Sequence, residues 1–307
     1  MNPSASSTTR LRRDVIASAL ASAVELKVVQ TRYRGHATKL AAGARAEGYG
    51  LVITFGGDGT VNEAVNGLLA RRADAPLSAD DLPALAPLPG GSANVFAGAI
   101  GLPRDPVDAT GQLLQALAEG RMRTVSVGQA DGRYFTFNSG LGLDAEVVRA
   151  VQGLRAHGRP VTPLLYVRLA LRQFYRQTDR RHPAITVDLP GQSPEGPVYL
   201  CIVSNTAPWT YLGSREVHAN PRAGFDTGLD LFALRSMSSL SVLSAVGRML
   251  TSRSERVHGR KVSSFHDQPS VRLHASRPVA FQIDGEYMGE REEVTFTAVP
   301  EALRVLA

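Results

Sequence analysis

FGGDGTVNE, at residues 55–63, follows the apolar run LVITF at 51–55 and precedes a segment with the apolar spacing of a helix. A short apolar run of this kind is typical of a strand buried in a parallel sheet. Three glycines let the backbone adopt positive φ and approach a bulky anion, while the helix start adds free N–H groups and a positive dipole end. The stretch therefore predicts a strand, a phosphate-binding turn and a helix in succession.

The polar side chains of this turn admit two explanations. Asp58 would repel a bare phosphate, but it suits a phosphate that carries a divalent cation. Thr60 and Glu63 have the spacing of a capping box, in which case both would serve only the start of the helix. The turn is neither the GxxxxGK[ST] loop nor the GxGxxG turn of dinucleotide-binding proteins.

PGGSAN, at 89–94, is a second glycine-rich turn, and it follows a strand predicted at 84–88. The carboxyl ends of parallel strands share one edge of a sheet, so this turn can put Ser92 or Asn94 beside the same ligand. An ordinary N-cap role is the alternative for Ser92. Asp105 followed by Pro106 predicts the start of a helix at 105–119.

The alternation of helix and strand patterns over residues 1–125 predicts an α/β domain with a parallel sheet. Besides the elements named above, we expect helices at 10–24, 36–48 and 60–70 and a strand at 25–30. Strand patterns then dominate up to residue 299, which is typical of a β-sandwich. They lie at 122–130, 133–139, 184–190, 197–204, 229–235, 256–264, 270–275, 279–285 and 293–298, with helices expected at 144–154, 163–176 and 238–250.

Two acidic segments fall in this second region. Asp144, in NSGLGLDAE at 138–146, is either a site residue or the N-cap of the helix that follows. In a strand, Asp284 and Glu286 would share a face, and one of them could accept the proton of an attacking hydroxyl. The alternative is an exposed hairpin turn at Asp284-Gly285, because Asp-Gly is a common hairpin signal.

The charge, the cysteine count and the lack of long apolar segments limit the kinds of protein that this chain can be. Lys and Arg number 34 against 28 Asp and Glu, so the formal charge of +6 suits contact with phosphates or an anionic membrane without requiring it. A single cysteine, Cys201, excludes a disulfide within the chain and a cysteine-based metal site. With no apolar run of about 18 residues and no signal-peptide core in MNPSASSTTRLRRD, we expect a cytoplasmic protein.

Six segments taken together resemble the diacylglycerol kinase catalytic-domain family, which includes sphingosine kinases and bacterial lipid kinases. In chain order they are Asn2-Pro3, Thr31 with GHA at 35–37, GGDGTVNEAVNG at 56–67, PGGSANVFA at 89–97, GLGLDAE at 140–146 and DGE at 284–286. They span nearly the whole chain. NAD kinases and phosphofructokinases share turns like GGDGT, so this turn alone does not identify the family. The combination of GGDGT with PGGSANVFA, GLGLDAE and a late DGE is specific for it.

This resemblance implies a Rossmann-like, phosphofructokinase-like α/β domain at 1–125, to which 300–307 returns, and a lipid-binding β-sandwich at 126–299. It implies ATP and Mg²⁺ as cofactors and the phosphorylation of a lipid hydroxyl, with diacylglycerol as the first candidate acceptor. Expected partners are the lipid substrate and the inner face of a membrane, contacted peripherally, but no nucleic acid; a homodimer is an open option. The helical segments 163–176 and 238–250 flank a lipid entry, touch the membrane or simply pack in the core.

By resemblance, Glu286 or Asp284 is the general base, and Asp58 and Asp144 are further catalytic acids at the phosphate and the lipid hydroxyl. The same resemblance assigns ATP binding to Thr31, Gly56, Gly57, Asp58, Gly59, Thr60, Val61, Asn62, Glu63, Gly91, Ser92 and Asn94.

The chain also departs from the family pattern. Bacterial members have a Mg²⁺ site in an A-x-x-D-D-G-x-L segment, where this chain has Thr227 for one acid, leaving Asp226, Gly224 and Leu229 as candidate ligands. Val95 replaces a family carboxylate. Members also have a strand before Asn-Pro, so we expect the native chain to start upstream of Met1. The alternatives are a catalytically impaired, lipid-binding or regulatory homologue and an NAD kinase.

Overall fold

The computed structural model describes residues 1–3, 9–70, 78–156, 162–176, 178–251 and 261–307. It divides into two compact units, an N-terminal unit of Met1–Val127 with Pro300–Ala307 and a C-terminal unit of Gly128–Val299. The predicted fold class is confirmed: the first unit is α/β with parallel strand pairing, and the second is built mainly from antiparallel strands.

The N-terminal unit alternates helices with strands. Its elements are α1 (Arg10–Ala21), α2 (His36–Ala46), β1 (Leu51–Gly56), α3 (Asp58–Leu68), a 3₁₀ turn (Ala79–Asp81), β2 (Ala84–Pro89), α4 (Val95–Ala99), α5 (Pro106–Glu119) and the start of β3 (Met122–Ala130). Strands β1 and β2 pair in parallel from Leu51–Ala84 to Gly56–Pro89, so their carboxyl ends lie side by side.

Local sequence explains the start of α5. The Asp105 carboxylate accepts hydrogen bonds from the N–H groups of Val107 (2.8 Å) and Asp108 (3.4 Å), and Pro106 is the first helical residue. These are groups that a helix start leaves without partners inside the helix. The predicted cap is confirmed.

The C-terminal unit continues the chain through the end of β3, β4 (Arg133–Phe135), β5 (Asn138–Gly142), α6 (Leu143–Ala156), α7 (Pro163–Arg176), β6 (Ile185–Asp188), β7 (Glu195–Val198), β8 (Leu200–Ser204), β9 (Thr210–Leu212), β10 (Arg215–Val217), β11 (Leu229–Leu234), α8 (Ser239–Thr251), β12 (Val262–Gln268), β13 (Ser270–Ile283) and β14 (Glu286–Leu306). The last residues of β14, from Pro300, belong to the N-terminal unit. Its main sheet runs β14-β13-β5-β8-β11-β12, with antiparallel pairs throughout. Phe296 meets both Phe135 and Phe281 edge to face in the core.

None of the described helices is long and apolar enough to cross a bilayer.

Several strand predictions are wrong in detail, among them 197–204, which falls on two strands, β7 and β8. Residues 25–30 form no strand: the hydrogen bonds here join single residues to Met1 instead of forming a ladder, with the Met1 amine donating to the Val29 carbonyl (2.9 Å) and the Thr31 N–H donating to the Met1 carbonyl (2.9 Å). The strand expected at 133–139 divides into β4 and β5. Those expected at 270–275 and 279–285 form one strand with irregular pairing to β14 between His274 and Val279. Of the strand expected at 256–264, residues 256–260 lie outside the described residues.

Close packing of α2 on α3 gives a stability prediction. A Cβ added at Gly67 would lie 2.3 Å from the Thr38 carbonyl oxygen, a backbone atom that cannot move aside cheaply. We expect Gly67→Ala to lower the free energy of unfolding by about 1–3 kcal/mol in a urea titration. Gly43→Ala, in α2 with open space around it, is the control and should stabilise by about 0.5–1 kcal/mol. Equal stability of Gly67→Ala and wild type would contradict this packing.

Candidate active site

The two glycine-rich turns touch through their backbones. Since β1 and β2 are parallel, both turns leave the same edge of the sheet, and the Gly90 N–H donates to the Gly56 carbonyl (2.8 Å). A Cβ added at Gly91 would lie only 2.6 Å from the Gly57 Cα, and one at Gly57 would lie 3.2 Å from the Gly91 Cα. Glycine is therefore required at Gly91 for the turns to sit this close.

Asn94 holds the second turn in shape. Its side-chain oxygen accepts from the Gly91 N–H (2.8 Å) and its amide donates to the Gly91 carbonyl (2.8 Å). Asn94 has φ 52° and is itself the residue before α4, so the suggestion that Ser92 is that helix's N-cap is wrong. Ser92 stands exposed on the turn.

The capping-box explanation for Thr60 and Glu63 is also wrong, because α3 begins two residues earlier than expected, at Asp58, with Gly57 before it. The Glu63 carboxylate instead accepts from the N–H groups of Gly35 (2.7 Å) and Ala37 (3.1 Å), at the start of α2. The Asp58 carboxylate accepts from the Phe96 N–H (3.3 Å) at the start of α4. Each negative charge thus meets the positive end of a neighbouring helix.

The remaining predicted nucleotide residues divide into two groups. The Asn2 amide donates to the Thr60 hydroxyl (3.2 Å), and Thr31 donates its N–H to Met1, so Thr31 connects to the first turn through the first two residues. Gly59 lies in the first turn of α3. Val61 and Asn62 are buried, so their side chains pack inside the unit rather than facing solvent.

In the C-terminal unit, Asp284 and Gly285 form the two-residue turn between β13 and β14. Ile283 pairs directly with Glu286, and the turn residues have φ 45° and 72°. Positive φ at both central positions is the geometry that favours Asp-Gly in hairpins. The hairpin interpretation of Asp284-Gly285 is therefore confirmed, whereas the expectation that Asp284 and Glu286 share a strand face is wrong.

The two acids beside this turn have different surroundings. The buried Asp284 carboxylate accepts from the Thr136 N–H (2.7 Å) and hydroxyl (2.8 Å) and from the N–H groups of Phe137 (3.1 Å) and Asn138 (3.2 Å). These bonds fix the bend that separates β4 from β5. Glu286 is partly buried and pairs with Arg133 (2.9 Å).

Asp144 occupies a third environment. It lies in the first turn of α6, which begins at Leu143, so the N-cap alternative is wrong. Its carboxylate accepts one hydrogen bond from the Gln282 amide (2.9 Å). Burial raises the pKa of Asp144 to about 6, against the opposing effect of that hydrogen bond.

Sequence reasoning missed Gln282 and Asn138 as site residues. The Gln282 amide also donates to the Asn138 side-chain oxygen (2.9 Å), while its own oxygen accepts from the Gly285 N–H (2.9 Å). Gln282 is almost completely buried and connects the hairpin turn to Asp144. The available signal was a lone amide in the apolar run AFQI at 280–283.

The candidate metal ligands do not form a site. The Gly224 carbonyl accepts from both the N–H (3.3 Å) and the hydroxyl (3.1 Å) of Thr227, Asp226 is exposed, and Leu229 belongs to the β11–β12 ladder. Among the described residues, no three His, Cys, Asp or Glu side chains lie close enough to share a metal ion. The Thr227 hydroxyl stands where the family pattern has a carboxylate, so these residues do not fit a resident Mg²⁺.

The raised pKa of Asp144 predicts a pH-dependent stability. The pKa of this carboxyl is about 6 in the folded chain and 3.8 in the unfolded chain, so the folded chain binds the proton more tightly. The group therefore stabilises the fold at low pH, and this contribution to the free energy of unfolding is lost as the pH rises through 6. The free energy of unfolding of wild type relative to Asp144→Asn should fall by about 3 kcal/mol between acidic and neutral pH. Urea titrations at several pH values measure this; a constant difference would contradict the assigned burial.

Comparison with known proteins agrees with this organisation. A family model described as diacylglycerol kinase catalytic domain matches residues 1–130, and one described as YegS C-terminal NAD kinase beta sandwich-like domain matches residues 139–307. The chain is 28% identical over 259 residues to a diacylglycerol kinase of Bacillus subtilis, covering 84% of this chain and 78% of that protein. It is 40% identical over 116 residues to a probable YegS-like lipid kinase of Chromohalobacter salexigens, covering 38% of this chain and 34% of that protein.

Solved structures support the same fold. The crystal structure of a putative diacylglycerol kinase from Bacillus anthracis superposes with a TM-score of 0.75 at 22% identity, covering 99% of this chain and 94% of that one. The two family models between them cover almost the whole sequence, and the second alone covers more than half of it. The chain therefore belongs to the diacylglycerol kinase-like family of lipid kinases, with a diacylglycerol kinase catalytic domain followed by a YegS-type C-terminal domain.

Proposed function

We propose that this protein transfers the γ-phosphoryl group of ATP to a lipid hydroxyl, with diacylglycerol as the first acceptor to test. The observation that carries the proposal is the contact between Gly57 and Gly91. It leaves two turns without side-chain bulk at the ends of adjacent parallel strands, where backbone N–H groups and the start of α3 can surround phosphate oxygens. Mg²⁺ enters this reaction with ATP, as part of the substrate.

Asp58 is compatible with a triphosphate in this position. Its carboxylate is engaged with the start of α4, as Glu63 is with the start of α2. Because helix N-termini stabilise these two negative charges, neither needs the substrate as a partner. Their proposed role is to fix the turns in place, which pre-organises the backbone for the phosphates.

Asp144 is the carboxylate that we propose as general base. The Asp284 carboxylate accepts three backbone N–H groups and one hydroxyl from residues 136–138, so this group holds the chain there, and Glu286 is paired with Arg133. Among the described residues, one group, the Gln282 amide, donates a hydrogen bond to Asp144, and the pKa of Asp144, about 6, is close to the value that suits a base at neutral pH. It would take the acceptor's proton as the new O–P bond forms and the bond to the β-phosphate oxygen of ATP breaks, releasing ADP.

Names of relatives support the choice of acceptor. The Bacillus subtilis protein is called a diacylglycerol kinase and the Chromohalobacter salexigens protein a probable lipid kinase. Diacylglycerol therefore heads the panel, followed by a sphingoid base and phosphatidylglycerol, whose hydroxyl groups present the same chemistry.

Transfer of labelled γ-phosphate from ATP to this panel in mixed micelles tests the proposal. Wild type should label one lipid. Asp144→Asn should lower kcat by about 10²–10⁴ with little change in the KM for lipid, because it removes proton transfer but leaves binding. Asp188→Asn, the same exchange at the exposed end of β6, is the control and should behave as wild type. Label in no lipid, despite ATP binding, would instead favour a binding or regulatory homologue.

The pH profile tests the assignment of the base. A base must be unprotonated to act, so kcat/KM should fall about tenfold per pH unit below about pH 6 and level off above it. A profile without this limb, or loss of activity in Glu286→Gln with Asp144→Asn unaffected, would transfer the role of base to Glu286.

A further inference from the structure

The loop that leads into β11 meets the end of β12 at a β-bulge. One residue of β11 faces two residues of β12 here, because the pairing register shifts between Leu229 and Leu231. Asp230 therefore lies opposite both His266 and Asp267. Asp267 has φ 57°, a left-handed conformation that Asp adopts more readily than most residues, since its short polar side chain can hydrogen-bond locally. The bulge thus gathers three polar residues at the end of the ladder.

Both acids of this bulge are engaged by groups of the protein. The buried Asp230 carboxylate accepts from the Asp267 N–H (3.0 Å), and the same oxygen lies 2.7 Å from the His266 Nδ1. The Asp267 carboxylate in turn accepts from the Gly228 N–H (2.7 Å), which belongs to the loop. A Cβ added at Gly228 would lie 2.6 Å from the Gln268 carbonyl oxygen, so the loop and the strand also meet through their backbones.

Thr227 holds the loop together from within. Its hydroxyl donates to the Gly224 carbonyl oxygen (3.1 Å) and lies 3.4 Å from the Gly228 carbonyl oxygen. An ionised carboxylate could not replace it in this role, because a carboxylate only accepts hydrogen bonds. A carboxylate at position 227 would set acceptor oxygens against these two carbonyls. That arrangement suits a divalent cation, since Mg²⁺ and Ca²⁺ are bound by carboxylate and carbonyl oxygens.

We propose that hydrogen bonds from Thr227 and to Asp267 hold this loop in place of a divalent cation, so that the folded chain has no structural metal requirement. The family pattern has a carboxylate where this chain has Thr227, and the exchange Thr227→Asp should therefore make the loop depend on a cation. The inference goes beyond the proposed transfer, in which Mg²⁺ arrives with ATP. It is measured on the protein without nucleotide, so its outcome does not depend on kinase activity.

Thermal melting in EDTA, in Mg²⁺ and in Ca²⁺, at constant ionic strength, tests this proposal. Wild type should melt at the same temperature in all three. Thr227→Asp should melt about 2–4 °C below wild type in EDTA, because its carboxylate faces carbonyl oxygens. It should recover this loss in Mg²⁺ or Ca²⁺, and the recovery should grow with cation concentration, as binding to the folded state requires.

Two further variants separate cation binding from a general loss of stability. Thr227→Asn is the matched control, because its side chain is as large as that of Thr227→Asp but carries an amide that can donate to the Gly224 carbonyl. It should melt at one temperature in EDTA and in Mg²⁺. Asp267→Ala removes the acceptor of the Gly228 N–H and should melt about 2–4 °C below wild type, equally with and without cations.

Three results would overturn the proposal. The first is a wild-type melting temperature that falls in EDTA. The second is a Thr227→Asp variant that melts equally in EDTA and Mg²⁺. The third is an Asp267→Ala variant as stable as wild type, and this result and the first decide the matter even where Thr227→Asp fails to fold.

Discussion

Contact between the Gly57 and Gly91 backbones is the constraint on which the two glycine-rich turns, the proposed nucleotide site of the N-terminal unit, depend. Parallel pairing of β1 with β2 brings the two turns to one sheet edge, and the bond from Gly90 to Gly56 extends this pairing by one residue. At that separation a side chain on Gly91 would overlap backbone, which is the most costly kind of clash to relieve. Two side chains help to hold the turns at this distance. Asn94 accepts from the Gly91 N–H within the second turn, and Asp58 of the first turn accepts from the Phe96 N–H of α4.

Three carboxylates of the C-terminal unit have different surroundings. Asp284 accepts hydrogen bonds from residues 136–138, Glu286 forms an ion pair with Arg133, and Asp144 is buried with one amide donor among the described residues. Gln282 joins these environments, because it bonds Asp144 on one side and the Asp284-Gly285 turn on the other. Of these carboxylates, Asp144 is the one whose pKa burial raises, to about 6.

Features encoded by neighbouring residues were predictable from the sequence. The LVITF strand, the Asp105-Pro106 helix start and the Asp284-Gly285 hairpin each depend on residues within one turn of the chain. Features that depend on distant partners were not. Glu63 looked like a capping-box residue of its own helix, but its partners are about 26–28 positions away, and Gln282 acquires its role from Asp144. The pattern of 25–30 suits a strand, yet a strand also needs a continuous hydrogen-bond ladder with another segment, which the single bonds of Val29 and Thr31 with Met1 do not form.

Equilibrium binding of Mg-ATP to wild type and Gly91→Ala is the most direct test of the central claim that this backbone contact forms the nucleotide cradle. The added methyl group must push the turns apart, so Gly91→Ala should bind ATP at least about tenfold more weakly, equivalent to about 1.4 kcal/mol, while its helical content remains that of wild type. Gly43→Ala, in open space on α2, should bind as wild type. Undiminished binding by Gly91→Ala would show that ATP does not depend on this contact and would contradict the account.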